Sequence, residues 1–205
     1  MGKRQEIKFK KERRPFIFIV CEGRNKTEKT YFTHFKDRNA PFVLHIIDCE
    51  DTDIISMAKK ANNLFAEKQL DSTLGDKVFC LVDLDLDRCK FGKYLHARER
   101  YKKVMIIPSN PCFETWLMFY FTKNPKVVSS SQKAKVEMKK FIADYTESTD
   151  VIRVAKLGMS NHVAAINNAE IKNEKYSDDI LLIDKNTYTE MATLIMELVS
   201  YRKDE

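Results

Sequence analysis

Four short apolar runs recur along the chain: "FIFIV" (16–20), "FVLHII" (42–47), "KVFCLV" (77–82) and "KVMIIP" (103–108). Each has the length and residue types of a buried strand, and each is followed by residues at helical spacing. After the first, "NKTEKTYFTHFKDRN" puts Tyr31, Phe32 and Phe35 on one helical face, and Asn25 with Glu28 three residues on forms a capping-box pattern. After the second, "DIISMAKKANNLFAEKQ" (53–69) spaces Ile54, Ile55, Ala58, Ala61, Leu64 and Phe65 as a helix does. A short polar helix over 93–102 follows the third. "PCFETWLMFYF" (111–121) follows the fourth and reads as a helix with proline in its first turn, where a missing N–H costs nothing. Strands alternating with helices in this way predict an α/β fold, a parallel sheet with helices on both faces.

Beyond this core, "TKNPKVVSSSQK" (122–133) is a polar break. Helices are predicted near 131–144, 160–172 and 187–202, with "DILLID" (179–184) an extra strand. A chain of 205 residues without internal repeats predicts one domain. The expected parts are a basic arm over 1–14, an α/β core over 15–122 and a mainly helical appendage over 123–205.

The net charge of +6 is concentrated. "MGKRQEIKFKKERR" holds seven Lys or Arg against two Glu, and the rest of the chain is close to neutral. Such an arm can bind phosphates by releasing counterions, or serve as a solvated tail. No apolar stretch is long enough for a bilayer, so no membrane partner is expected. The basic N-terminus lacks the apolar region of a secretory signal. Cys21, Cys49, Cys80, Cys89 and Cys112 show no C-x-x-C spacing, and reduced thiols in a cytoplasmic protein are expected. The four histidines are scattered, and there is no phosphate-binding G-x-x-x-x-G-K-[ST] loop.

Two of the apolar runs end on acid. "FIFIV" leads through Cys21 into Glu22 and Gly23, the glycine permitting a sharp exit. "KVFCLV" leads into Asp83, Asp85 and Asp87, whose spacing of two would point all three the same way in an extended chain. Open parallel sheets place their sites at the carboxyl ends of the strands. Were strands one and three neighbours, about 4.8 Å apart, Glu22 and the aspartates would converge. An oxygen-only cluster of that kind suits Mg2+ or Mn2+, an ion that polarises a phosphoryl oxygen and activates water.

Other readings of D-x-D-x-D compete. A calcium loop fails, because Arg88 stands where glycine is needed and Tyr94 where the terminal glutamate is needed. A solvated acidic turn remains open. A phospho-acceptor receiver expects an acidic pair after strand one, and only Glu22 stands there.

The residues also carry a resemblance. "VCEG" after one strand and "VDLDLD" ending a later one resemble the Toprim fold of topoisomerases, primases and several nucleases. "IVCEGRNKTEKTYF", "VFCLVDLDLD" and "IIPSNPCFETWLMFYF" together resemble the RloB-like family, in order over residues 15–122. That family comprises Toprim-type proteins of bacterial abortive-infection, anti-phage loci, often encoded beside an ABC-type ATPase. The resemblance implies a Toprim-like (Rossmann-like) core and a Mg2+- or Mn2+-dependent endonuclease. Glu22 matches the family glutamate, and Asp83 and Asp85 match its D-x-D. Asp87 falls where topoisomerase-type relatives carry an acid, and Glu28 matches a T-E pair. Nucleic acid, DNA or RNA and transfer RNA included, is the implied substrate, an ABC-type ATPase the implied partner, and a homo-oligomer stays open. The alternative is an inactive adaptor that docks the ATPase.

Glu114 is the one charge in a helix otherwise apolar around its circumference, so burial is expected. A buried carboxylate needs a partner or a raised pKa. It serves either as a structural contact in the first turn or as a group of the acidic site. Ser109 and Asn110, expected at the start of that helix, could offer N–H groups to phosphate. Arg24 and Lys26, close after Glu22, are candidate phosphate contacts or a solvated helix edge.

Overall fold

The computed structural model describes residues 13–23, 26–177 and 180–200. Strands β1 (Phe16–Glu22), β2 (Val43–Cys49), β3 (Lys77–Asp83) and β4 (Val104–Asn110) are parallel. A two-residue strand, β5 (Tyr188–Thr189), pairs antiparallel with the end of β4. The order is β2-β1-β3-β4-β5. From β1 the chain winds outward to β2, and from β3 it winds the other way to β4, so β1 and β3 meet at the switch point of the sheet. Ligands of open α/β sheets bind at such a point. This is the Rossmann-like α/β arrangement that the alternating pattern predicts.

Strand alternation sorts the apolar residues onto two faces. Ile17, Ile19, Phe79, Leu81 and Ile107 meet α1 (Lys26–Thr33) and α4 (Glu114–Met118). Phe18, Val20, Val78, Cys80 and Ile106 meet α2 (Ile54–Glu67) and α3 (Arg88–Arg100). The later helices are α5 (Ser131–Met138), α6 (Val151–Val154), α7 (Met159–Glu174) and α8 (Met191–Val199). They extend the first core, through Met138, Ala165, Leu194 and Ile195, so both ends of the chain share one apolar interior. A chain of buried hydrogen bonds reinforces that junction. Trp116 Nε1 donates to Tyr31 Oη at 2.9 Å, the Tyr31 and Tyr120 hydroxyls lie 2.5 Å apart, and Tyr120 Oη is 2.6 Å from His162 Nδ1 on α7.

Several boundaries differ from expectation. Asp179 of "DILLID" lies outside the described residues, and residues 180–184 form no strand; Leu182–Asp184 form a 3-10 turn whose Leu182 and Ile183 carbonyls are taken by the Asn110 side chain. The extra strand lies later, at β5, and α8 begins at Met191 rather than 187. Pro111 stands three residues before α4, not in its first turn, and its carbonyl accepts from Asp85 N at 2.8 Å. Most of the basic arm, together with Arg24 and Asn25 of the capping box, falls outside the described residues. The arm's last two residues belong to the fold. Arg13 grips Asp76 with two hydrogen bonds of 2.7 and 2.6 Å, and Arg14 donates to the carbonyls of Arg38 and Ala40. Among the described residues no helix is long and apolar enough to cross a membrane, and the five cysteines are free thiols.

Candidate active site

β1 and β3 run in register from Ile17 opposite Lys77 to Val20 opposite Cys80. Continued upward, that register sets Glu22 level with Val82, one residue short of Asp83. Partners across parallel strands share a face, so Glu22 leans to the α2–α3 side and Asp83 to the α1–α4 side. The two acids approach from opposite sides of the sheet edge. They nevertheless line one cleft, together with Glu28, Thr52, Ile54, Met57 and Lys90. Its volume is about 10 Å³, room for one water-sized sphere or an ion.

Gly23 makes the exit from β1 possible through space rather than through φ. Its N–H donates to Cys49 O at 2.7 Å, and a Cβ there would stand 3.0 Å from that same oxygen. The glycine therefore lets the end of β1 press against the end of β2, which fixes where Glu22 emerges.

The three aspartates do not share a direction. β3 ends at Asp83. Asp85 and Leu86 then take φ of 52° and 58°, the left-handed region that side chains disfavour. Backbone hydrogen bonds hold this turn against the end of β4: Leu84 N to Ser109 O at 2.9 Å, and Leu86 N to Asn110 Oδ1 at 3.1 Å. Asp85 is thereby turned aside. One of its carboxylate oxygens accepts from Lys90 Nζ and the other from Ser131 Oγ of α5. Asp87 caps α3, its Oδ1 accepting from Cys89 N at 2.6 Å and Lys90 N at 3.3 Å, so one of its oxygens is committed to the helix start.

Glu28 and Glu114 are both buried, at 4% and 3% exposure, and both crowd Asp83. Burial first, then the charges of Glu28, Glu114 and Asp85, push the Asp83 carboxyl well above its ordinary pKa. Glu114 accepts from Tyr145 Oη at 2.8 Å, a contact from the appendage that ties the buried carboxylate in place. Burial opposes the charge on Lys90, yet Asp85, Asp83 and Glu22 outweigh it and raise the Lys90 pKa.

Ser109 and Asn110 lie in β4, not at a helix start. The Ser109 hydroxyl is 2.8 Å from that of Thr189, and the Asn110 amide is spent on the carbonyls of the 182–185 turn. They close the sheet edge, and the helix start expected at these two residues is absent. Lys26 is exposed at the start of α1, and Arg24 lies outside the described residues. Further exposed cations on α1 and α3 are paired with acids: Lys29 with Asp48 at 2.5 Å, Lys93 with Asp53 at 2.5 Å and Arg88 with Asp184 at 3.0 Å. Lys90, Ser131 and Tyr145 were not legible as site residues. Lys90 follows from Asp85 only once the turn and the α3 cap are known. Ser131 and Tyr145 arrive from distant sequence.

The donor chemistry fits a hard divalent cation. Glu22, Glu28, Asp83, Asp85 and Glu114 supply only carboxylate oxygen, and burial, then the crowded acids, raise the pKa of Asp83 despite the nearby ammonium of Lys90. Among the described residues, however, no three His, Cys, Asp or Glu side chains are drawn together closely enough to hold an ion. Strand alternation accounts for part of this, since Glu22 and Asp83 come from opposite faces. Asp85 is in addition turned to Lys90 and Ser131.

No curated protein and no solved structure matches the chain. The family model described as RloB-like protein matches residues 17–198, from the first strand through the last helix. The match includes the helices after residue 122 that share a core with the sheet. The chain belongs to the RloB-like family.

Proposed function

We propose that this protein is a Mg2+- or Mn2+-dependent nuclease of the Toprim type. The observation that carries the reading is the meeting of Glu22 and Asp83 in one ion-sized cleft at the switch point of the sheet. Asp83, Asp85 and Glu22 would hold the ion. When bound, it would polarise a phosphoryl oxygen and lower the pKa of a water. Glu22, on the opposite side of the sheet edge from Asp83, would serve either as a ligand of the ion or as the general acid/base for the attacking water and the leaving oxygen. Glu28 and Glu114 keep the field around Asp83 negative, and Tyr145 fixes the orientation of Glu114. Lys29, Arg88 and Lys93, exposed cations of α1 and α3, could trade their carboxylates for the phosphates of a nucleic acid strand. In this reading the protein is cytoplasmic and acts in anti-phage defence with an ABC-type ATPase.

A second reading is favoured by one observation: Asp85 is engaged by Lys90 and Ser131, and three carboxylates are not drawn together. On this reading the chain is an adaptor that docks the ATPase and does not cut. Cleavage of a panel of DNA, transfer RNA and other RNA, with Mn2+ or EDTA and with or without the ATPase, separates the two. Metal-dependent cutting lost in Asp83→Asn supports the nuclease. No cutting under any condition supports the adaptor.

A further inference from the structure

Lys90 is the cation that the acidic cleft already contains. It sits in the first turn of α3, whose start is fixed by the Asp87 cap. Its stem is anchored there, while its ammonium reaches back to Asp85 five residues earlier. The same group lines the cleft beside Glu22, Glu28 and Asp83. The left-handed turn at Asp85 and Leu86 directs the Asp85 carboxylate to this ammonium instead of along the line of β3. The turn is held by hydrogen bonds to Ser109 O, Asn110 Oδ1 and Pro111 O, so the aim is built into the fold.

One ammonium in the field of Asp85, Asp83 and Glu22 does the electrostatic work of an ion at lower charge. An incoming divalent ion would carry twice that charge into the same field and would meet repulsion from Lys90 at close range. We infer that Lys90 is a resident counter-cation of the cleft: it holds the Asp85 carboxylate in reserve, and a divalent ion must displace its ammonium to use that ligand. The inference rests on the divalent-ion reading above. Lys90 is a positioning residue in this account, acting through Asp85. Its presence stabilises the acidic cluster when no divalent ion is bound and weakens ion affinity, so that only an ion of higher charge competes well.

The test uses the full chain without nucleic acid and Mn2+ as the probe. Mn2+ binding is followed by the loss of the free-ion electron paramagnetic resonance signal, and melting is recorded in EDTA and in Mn2+. Lys90→Gln is expected to bind Mn2+ about 10-fold tighter or more than wild type, as removal of a like charge within ion-pair range requires. It is also expected to melt lower in EDTA and to gain more from Mn2+. Lys90→Arg, which keeps the charge, is expected to bind as wild type does or more weakly, and it carries the test should Lys90→Gln fail to fold. Equal or weaker binding by Lys90→Gln overturns the inference, as does tighter binding by Lys90→Arg. Wild-type Mn2+ binding abolished by Asp83→Asn would leave the divalent-ion reading standing in either case. Absence of Mn2+ binding in all proteins, or binding indifferent to Asp83→Asn, overturns both.

Discussion

The Tyr145 hydroxyl donates a 2.8 Å hydrogen bond to Glu114 Oε1, joining the loop after α5 to the first residue of α4. Both side chains are buried, and burial with the adjacent carboxylate holds the Tyr145 phenol far above its ordinary pKa. A charged hydrogen bond in such a place stabilises the fold and aims the acid. Tyr145→Phe is expected to cost about 1.5–3 kcal/mol. Glu114→Gln keeps the shape and the acceptor but removes a charge beside Asp83, so Mn2+ affinity is expected to fall by about 10-fold or more. Normal Mn2+ affinity in Glu114→Gln, with only a lower Tm, would make Glu114 purely structural.

Asp83 is held above its ordinary pKa, first by burial and then by its acidic neighbours. The stability linked to its proton is fully present below the unfolded value, about 3.9, and is lost as pH rises through the folded value. Asp83→Asn removes that loss. In EDTA at neutral pH its Tm is expected to exceed wild type by roughly 2–4 °C, with the gain vanishing below about pH 4. Melting curves across that range check it; a gain that persists at low pH would mean packing, not charge, is responsible.

Asp76 titrates the other way. Its carboxylate accepts from Arg13, from Phe16 N at 2.8 Å and from Asp71 N at 2.8 Å, tying the start of β1 to the entry of β3. The Arg13 contact leads the causes that bring its pKa from 3.8 down to about 2. The stability this provides is present above the unfolded value and is lost as pH falls from about 4 to about 2. Asp76→Asn is expected to cost about 2 kcal/mol at neutral pH and to flatten the acid limb of the Tm profile over that window. An unchanged acid limb would contradict this.

Arg13 and Arg14 tie the end of the arm into the fold. Deleting residues 1–12 removes five Lys or Arg and two Glu. It is expected to weaken nucleic-acid binding and to reduce its salt slope while leaving Tm unchanged. Deleting residues 1–14 also removes Arg13 and Arg14 and their grips on Asp76 and on the Arg38 and Ala40 carbonyls, so Tm should fall. Equal salt slopes for wild type and the shorter deletion would exclude the arm from binding.

The sheet was legible because its four parallel strands are continuous apolar runs, and β1 and β3 end abruptly in acid. Glu22 and Asp83 could be placed at the carboxyl edge from that pattern alone, and the order β2-β1-β3 then brings them into one cleft. The directions of Asp85 and Asp87 could not be read. A spacing of two implies a shared face only in extended chain, and this chain turns left-handed at Asp85 and caps a helix at Asp87. Ser109 and Asn110 were misplaced because β4 runs on through Asn110, and a two-residue strand from far downstream pairs with it. Such long-range pairing leaves little local trace. The same holds for Ser131 and Tyr145, which reach the site only because the later helices extend the core of the sheet.

The most direct measurement is the rate of nucleic-acid cleavage by wild type and Asp83→Asn in Mn2+ and in EDTA. The account predicts cutting by wild type in Mn2+ alone, and a loss of at least about 100-fold in Asp83→Asn, on the order of 2.7 kcal/mol of barrier. Cleavage that persists in EDTA, or an Asp83→Asn protein that cuts at the wild-type rate, would contradict it.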